Sequence, residues 1–294
     1  MARSRNILFQ AREKRVRPGW DDKVLADWNG LMIAALVNAG IVLDEPEWIA
    51  MAGRAFDFIA KTMTRGDRQN SRLGHSWRAG KLLFPGLASD FAAMIRAALA
   101  LHEATGERAY LERALIWQRA FDTHYADPDT GGYYLSADDA TDLLLRPHST
   151  TDDATPNPNA VAAQNLVRLA VLSGDEQWRQ KADRLIEGIL SSVEKNLFGH
   201  VALLNALELR LRGAEIVVTG ADSDALFAAA LKLPFIGRIV LRARTAAALP
   251  VTHPARDKIA AAPGGAAFVC VGERCSLPVT TPEAIAEAAA GMRA

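Results

Sequence analysis

The stretch from Asp21 to Gly40 reads DDKVLADWNGLMIAALVNAG. It opens with charged residues, places Trp28, Asn29 and Gly30 at the expected start of a helix, and then continues apolar to a glycine. Because the apolar residues leave almost no polar face, the pattern predicts a helix that is buried on most sides. A glycine after such a run is typical of a left-handed cap at the C-terminal end of the helix.

The same pattern recurs in residues 89–106 and 157–174, which also begin with polar residues and end at a glycine. Each copy is followed by an amphipathic segment with an aromatic residue near its start, namely Trp48, Tyr110 and Trp178. Equivalent positions are 61 and 69 residues apart in the buried segments and 62 and 68 residues apart in their partners. The matching intervals predict three helical hairpins in an imperfect repeat, with a fourth buried helix over 199–212.

The connections between hairpins are long, whereas the turns within each hairpin are short. Residues 66–88 contain a predicted β-hairpin around 75–84, and residues 126–156 contain predicted short strands at 131–135 and 143–145. Both connections lead into the N-terminal ends of buried helices, so we expect them to cover one face of the protein. Long connections in a compact domain are often functional. Polar residues expected on this face are Asp27, Asn29, Asp90, Asp153 and Asn159.

The pattern changes after residue 213. Strands are predicted at 215–219, 238–241 and 266–271, and helices at 222–233 and 282–290. We therefore expect two domains, a helical-hairpin domain over 1–213 and a small α/β appendage over 214–294.

Composition excludes several classes of protein. The 34 basic and 34 acidic residues balance and form no basic stripe, which argues against a nucleic-acid partner. No apolar run reaches the length of a membrane span, and the basic N-terminal segment lacks the apolar part of a secretory signal, so we expect a cytoplasmic protein. Cys270 and Cys275 cannot complete a zinc site. We expect them to be buried or idle thiols, with redox chemistry as a weaker alternative and with no metal or cofactor.

Four long motifs resemble a known family. They are DDKVLADWNGLMIAAL, the HSW…GK hairpin, ASDFAAMIRAALALHEATGERAYLERA and DDATPNPNAVAAQNLVRLA. Together they closely resemble the thioredoxin-domain-containing, spermatogenesis-associated protein family over nearly the whole chain. The resemblance implies a thioredoxin-like domain followed by an (α/α)6 toroid, similar to those of N-acylglucosamine 2-epimerases and six-hairpin glycosidases. It therefore implies a mainly α fold, a partial (α/α)6 toroid of helical hairpins with a small C-terminal α/β appendage.

The chain departs from that family pattern in one respect. It begins about where the second half of the toroid should begin, has no redox CxxC, and supplies about seven of twelve barrel helices. We expect a C-terminal fragment without the thioredoxin-like domain, which either associates with an upstream half or with itself. The implied function is that of a carbohydrate-active toroid, either epimerase- or isomerase-like or glycosidase-like. The alternative is a non-enzymatic interaction or scaffold module, and whether the chain is an enzyme stays open.

The candidate catalytic residues are two carboxylates and one histidine, namely Asp90, Asp153 and His75. Paired carboxylates across a cleft suit glycoside chemistry, whereas a histidine suits the proton transfer of epimerisation. Asp90 is also in a position to cap its own helix. The candidate sugar-binding residues are Trp28, Asn29, Trp77, Tyr133 and Asn159. A packing tryptophan and a capping amide are the plain alternatives for the first two.

Overall fold

The structure, a computed structural model, describes residues 1–67, 69–141, 143–194, 196–234, 237–253, 255–262 and 264–293. The helices are α1 Ala2–Glu13, α2 Ala26–Val42, α3 Pro46–Thr62, α4 Ala88–Thr105, α5 Arg108–Tyr125, α6 Pro158–Ser173, α7 Gln177–Val193, α8 Val201–Arg212, α9 Asp224–Leu231, α10 Ala255–Ala261 and α11 Pro282–Arg293. The strands are β1 Val24–Leu25, β2 Thr64–Arg65, β3 Arg72–Leu73, β4 Ser76–Arg78, β5 Lys81–Leu83, β6 Ala214–Thr219, β7 Arg238–Ala243, β8 Ala267–Val271 and β9 Arg274–Cys275. None of the described helices combines the length and apolar character that a bilayer crossing requires.

The helices of the first two thirds of the chain form two layers. In the inner layer, α4 packs between α2 and α6, and α6 packs in turn against α8. The outer layer consists of α3, α5 and α7, each packed against the inner helix that precedes it. This alternation confirms the predicted fold class, because inner and outer helices succeed one another as in an (α/α)6 toroid, of which the chain supplies an arc.

Small residues allow the inner helices to approach closely. Most of α4 and α6 is buried, and alanine is seven of the 18 residues of α4 and four of the 16 residues of α6. Both helices end as predicted, at Gly106 and Gly174, which have φ angles of 73° and 72°. The predicted end of the first buried helix at Gly40 is wrong, since α2 continues to Val42. A Cβ at Gly40 would lie 2.8 Å from Ile49, so this glycine serves the close approach of α3 instead of a cap.

The two long connections differ in structure. In the first, β4 and β5 form the predicted hairpin, and β1 pairs with β4 to complete a three-stranded sheet. In the second, the strands predicted at 131–135 and 143–145 are wrong, because the described residues there make only an isolated bridge between Ala126 and Tyr133. Side chains bind the backbone of this connection instead. The Arg146 guanidinium donates hydrogen bonds to the carbonyls of Ser136 and His124.

The last third of the chain is the predicted α/β element. Its sheet has the order β7-β6-β8-β9, with β6 parallel to β7 and antiparallel to β8. One face packs on α9 and α11. The other face joins the main core through Val217, Ile239, Leu241 and Phe268. The division into domains 1–213 and 214–294 stays a prediction.

The two cysteines form a disulfide between Cys270 and Cys275. The prediction of idle thiols is therefore wrong. The antiparallel register of β8 and β9 places these residues directly opposite each other, so their side chains meet across the hairpin. That register cannot be read from the spacing of the two cysteines alone.

Candidate functional site

The polar side chains that meet at the N-terminal ends of the inner helices are centred on Asp90. This residue lies in the first turn of α4 and is fully buried. One of its carboxylate oxygens accepts a hydrogen bond from the backbone N–H of Leu87 at 2.7 Å, which caps α4. The other accepts from the backbone N–H of Asp27 at 3.0 Å, which ties the start of α2 to the start of α4.

His75 approaches the same carboxylate from the β-hairpin. Its Nδ1 lies 3.0 Å from Oδ2 of Asp90, and its side chain is 24% exposed. The backbone of His75 is held on both sides, because its N–H donates to Leu83 and its carbonyl accepts from Ala26. Since Nδ1 faces a carboxylate, we infer that it carries the proton in the neutral ring, which leaves Nε2 as a proton acceptor.

Burial and pairing shift the pKa of both groups. Loss of water around Asp90 raises the pKa of its carboxyl to about 6, although the hydrogen bond from His75 acts in the opposite direction. The hydrogen bond to Asp90 raises the pKa of His75, and the partial burial of the ring opposes that shift. The pair therefore holds a proton more firmly than either group does in water.

Asp27 brings a second carboxylate to this place. It lies in the first turn of α2, and its Oδ1 accepts the N–H of Trp28 at 2.8 Å. Ligand atoms of Asp27, His75 and Asp90 all lie within 4.8 Å of one another. Nδ1 of His75, however, contacts Asp90 directly at hydrogen-bond distance, and Asp90 also accepts two backbone hydrogen bonds. The geometry is that of a hydrogen-bonded dyad, and the absence of a metal stays a prediction.

Two of the predicted sugar-binding residues follow Asp27 directly in the first turn of α2. Trp28 follows Asp27 in α2, and 62% of its surface is exposed. Asn29 is half-buried and uses its amide N–H to donate to the carbonyl of Leu25, so its Oδ1 is the atom left for a ligand.

Asp153 lies apart from the cluster in the connection before α6. It is exposed, and its backbone N–H donates to Thr155. The neighbouring Asp152 has the structural role, because its carboxylate accepts the N–H groups of Asn157 and Ala202 at 2.8 Å each. Asp153 does not belong to the group formed by Asp27, His75 and Asp90.

The remaining candidates have packing partners within the protein. Trp77 is half-buried, and its ring meets Phe58 edge to face at 5.4 Å. Tyr133 is buried, stacks on Phe121 at 4.0 Å and donates its hydroxyl to Asp122. Asn159 is buried and bonds both backbone groups of Tyr133, at 2.7 and 3.0 Å. These contacts hold the connections in place, and neither Tyr133 nor Asn159 has a side-chain face open to a ligand.

The space among the inner helix N-termini is small. A cavity of about 10 Å³ lies between the starts of α2, α4 and α6, bordered by Asp27, Ser89 and Pro158. It has room for about one water molecule. A larger ligand would lie on the open face above it, where Trp28 and His75 are accessible. The sequence predicts Asp27 on this face but gives it no catalytic role, although its position directly before Trp28 is a signal for one.

The fold and this polar face define the chain as a helical-hairpin protein of the (α/α) toroid class. No family model matches it. Spermatogenesis-associated protein 20 of Rattus norvegicus is 33% identical over 227 aligned positions, with 74% of this chain and 28% of that protein covered. Its counterpart in Homo sapiens is 30% identical over 300 aligned positions, 94% of this chain and 37% of that protein.

The chain is therefore a homologue of spermatogenesis-associated protein 20, which confirms the resemblance seen in its motifs. It spans about a third of the length of these two relatives. A thioredoxin-like domain and the fragmentary nature of the chain stay predictions, as does a cytoplasmic location.

Solved structures with a similar course of the chain include two sugar enzymes. A cellobiose 2-epimerase from Spirochaeta thermophila has a TM-score of 0.48 and 19% identity, with 58% of this chain and 44% of that one covered. A GH76 alpha-mannanase from Bacteroides thetaiotaomicron has a TM-score of 0.48 and 13% identity, with 61% and 46% covered. Likenesses of this size carry no argument about activity.

Proposed function

We propose that the N-terminal face of the inner helices transfers a proton on a bound sugar, as in a sugar epimerase or isomerase, with His75 as the general acid–base. The observation that carries the proposal is the 3.0 Å contact between Nδ1 of His75 and the fully buried Asp90 carboxylate. A buried acid that orients a partly exposed histidine is an arrangement suited to proton transfer near neutral pH.

The reaction follows from the tautomer. Nε2 of His75 takes the proton from the carbon next to the sugar carbonyl, which leaves an enediolate. In isomerisation the imidazolium returns the proton to the neighbouring carbon on the same face, and the hydroxyl proton moves from one enediolate oxygen to the other. In epimerisation the enediolate first turns its other face toward His75, and the imidazolium then returns the proton to the same carbon. Asp90 stabilises the imidazolium between the two steps, since its carboxylate accepts the Nδ1 proton. His75 is the catalytic residue of the proposal, and Asp90 is a positioning residue.

Glycoside hydrolysis fits the same residues less well. It requires two carboxyl groups on either side of the bond that is cleaved. The Asp90 carboxylate is enclosed by Leu87, Asp27 and His75, so it has no direct access to a substrate. Asp153, its predicted partner, lies outside this cluster.

The substrate class rests on the residues around the dyad. Trp28 presents an exposed indole on which the C–H face of a sugar ring would stack. The carboxylate of Asp27 and the Oδ1 of Asn29 are acceptors for hydroxyl groups. Charged, apolar and amide groups on one accessible face are typical of sites that bind polar small molecules.

A second candidate function, a non-enzymatic interaction module, is favoured by one observation. Exposed Trp28 and Met32 are four residues apart on α2, so they form an apolar edge that a partner helix would cover. On this alternative, the dyad only fastens the β-hairpin to α2 and α4.

Solvent exchange separates the two functions. The chain is incubated in D2O with glucose, mannose, N-acetylglucosamine or cellobiose, and deuterium at the carbon next to the carbonyl is followed by NMR. We expect incorporation by the wild type and a loss of about 10²–10⁴-fold in His75→Gln.

The control is His124→Gln, which removes another histidine bonded to an aspartate, Asp138, away from the proposed site. Its exchange rate should equal that of the wild type. Exchange that persists in His75→Gln would contradict the role given to His75, because another group would then move the proton. A wild type inert toward all four sugars would contradict the proposal and favour the interaction module.

A further inference from the structure

A second cavity lies toward the opposite ends of the inner helices and has a volume of about 390 Å³. Its walls come from the last turns of α2, the second half of α4, the middle of α6, the end of α9 and the start of β7. Cavities of this size hold small organic molecules. Glu103, on its wall, is 13 residues from Asp90 on α4, or about 20 Å along the helix. The cavity is thus distinct from the face that carries His75.

The charged side chains on its walls are mostly basic. Four of the described lining residues are basic and one is acidic, namely Arg96, Arg168, Lys232, Arg238 and Glu103. Lys232 forms an ion pair with Asp44. Among the described lining residues, the three arginines therefore share a single carboxylate, and basic side chains outnumber acidic ones.

Glu103 is already engaged. Its Oε1 accepts from the Arg168 guanidinium at 2.8 Å, and its Oε2 accepts the backbone N–H of Val240 at 3.0 Å. Arg168 also donates to the carbonyl of Arg238. These bonds join α4, α6 and β7, so they fix the positions of two arginines on the wall of the cavity.

Arg96 is placed differently. Its side chain is mostly buried and lines the cavity, and no hydrogen bond or ion pair of its guanidinium occurs among the described residues. Burial lowers the pKa of Arg96 to about 9; the nearby charge of Arg168 adds to that effect, and the charge of Glu103 opposes it. Arg96 lies nine residues before the end of α4, beyond the reach of the partial negative charge at that terminus. Glu103 is the opposite charge nearby, but its two oxygens already bond Arg168 and the backbone of Val240. Among the described residues Arg96 therefore lacks the direct ion pair that buried cations ordinarily have.

The rest of the wall is apolar, formed by Ile41, Val42, Leu231, Leu233 and Pro234. We propose that this cavity binds a small organic anion, whose phosphate or carboxylate group lies against Arg96 and whose carbon body packs on the apolar wall. The planar fork of a guanidinium matches either group with two parallel hydrogen bonds. The inference is independent of the activity proposed for His75.

Calorimetric titration of the whole chain tests the proposal, with inorganic phosphate, phenyl phosphate and benzoate as probes. We expect phenyl phosphate or benzoate to bind more tightly than inorganic phosphate, because only the organic anions reach the apolar wall. The tighter of the two identifies the anionic group. Arg96→Met should weaken that binding more than tenfold, and Arg96→Lys should weaken it less, since the charge remains and the fork is lost.

Two further measurements separate a ligand site from a structural arginine. Without ligand, Arg96→Met should melt at the same temperature as the wild type or higher, because it removes a mostly buried charge that makes no direct ion pair among the described residues. The matched control is Arg54→Met on the exposed side of α3, which makes the same change of net charge and should bind the probes normally. The proposal is overturned if no probe binds the wild type at millimolar concentration. It also fails if Arg54→Met loses binding equally, or if Arg96→Met lowers the melting temperature and leaves binding intact.

Discussion

The carboxylate of Asp90 lies 3.0 Å from the backbone nitrogen of Asp27, 63 positions earlier in the chain. This hydrogen bond joins the first turns of two inner helices that belong to successive hairpins. The same carboxylate holds Nδ1 of His75, so one fully buried side chain both fastens the hairpins together and orients the candidate base. Structural and catalytic effects of this residue have to be measured separately.

Replacing Asp90 by asparagine should therefore destabilise the protein. The amide has one acceptor oxygen where the carboxylate has two, so the N–H of Asp27 or of Leu87 loses its partner on the fully buried side chain of residue 90. An unsatisfied buried donor costs about 1–3 kcal/mol. Urea denaturation at pH 8 gives the change in free energy of unfolding.

Asp153→Asn is the matched control for that measurement. Asp153 is exposed, and a surface substitution of this kind stays within about 0.5 kcal/mol of the wild type. Equal destabilisation by the two variants would mean that Asp153 has a buried role that its position does not suggest.

The pairing of His75 and Asp90 also predicts a dependence of stability on pH. The pKa of each group is raised in the folded protein, that of Asp90 to about 6. The stability that each group contributes through its raised pKa is fully present below the pKa of the unfolded chain. It is lost as the pH rises through the pKa of the folded protein. For Asp90 the loss falls between about pH 4 and 6, and for His75 it falls above pH 6.5.

The measurement compares the wild type with the double variant His75→Gln, Asp90→Asn between pH 4 and 8. The wild type should have the higher free energy of unfolding at low pH, and this advantage should shrink as the pH rises. A rise of about two units in the pKa of Asp90 corresponds to about 3 kcal/mol. Burial lowers the pKa of His102 and His253, which favours the opposite trend, but both proteins contain them. An advantage that grows with pH would refute the assigned directions.

The exposed edge of α2 predicts self-association. Trp28 and Met32 are 62% and 58% exposed and lie on the same side of the helix. Neighbouring exposed apolar side chains favour association between copies. Sedimentation velocity should show a dimer or larger species, and Met32→Lys should shift it toward the monomer.

Met51→Lys serves as the control, because Met51 is also exposed, at 49%, but lies on the outer helix α3. It should leave the association unchanged. A wild type that sediments as a monomer at all concentrations would speak against an edge-to-edge dimer.

The helices could be predicted from local sequence patterns, because the apolar residues and the capping residues that define a helix lie within it or directly beside it. The ends at Gly106 and Gly174 followed from single residues. The role of Asn159 did not, because its side chain binds Tyr133, 26 positions earlier in the chain, across two different elements. A polar residue at a helix start looks the same in sequence whether it binds a ligand or holds a loop.

The candidate site shows the same limit. His75 and Asp90 were expected on one face, and their proximity agrees with that expectation. The burial of Asp90 and the separate place of Asp153 depend on how the connections fold over the helix ends, which no periodicity encodes. The disulfide could not be predicted from the sequence for a similar reason, because it depends on the register in which β8 and β9 pair.

Gly30 gives the sharpest test of the packing between α2 and α4. In an unconstrained helix, alanine is favoured over glycine by about 1 kcal/mol. At Gly30 an added Cβ would lie 2.6 Å from the backbone carbon of Ala93 and 2.8 Å from its oxygen. Because these are backbone atoms of a buried helix, α4 would have to move, and overpacking of this kind costs about 1–3 kcal/mol. The cost exceeds the gain, so Gly30→Ala should lower the free energy of unfolding.

The opposite sign is expected for Gly291→Ala in α11, where an added Cβ meets nothing within 4 Å. At this position only the higher helix propensity of alanine acts, without a steric clash. The variant should therefore be more stable than the wild type by up to about 1 kcal/mol. Urea denaturation of both variants gives the two signs directly. If Gly30→Ala were as stabilising as Gly291→Ala, the two inner helices would lie further apart than the structure places them, and the bond between Asp27 and Asp90 would not form.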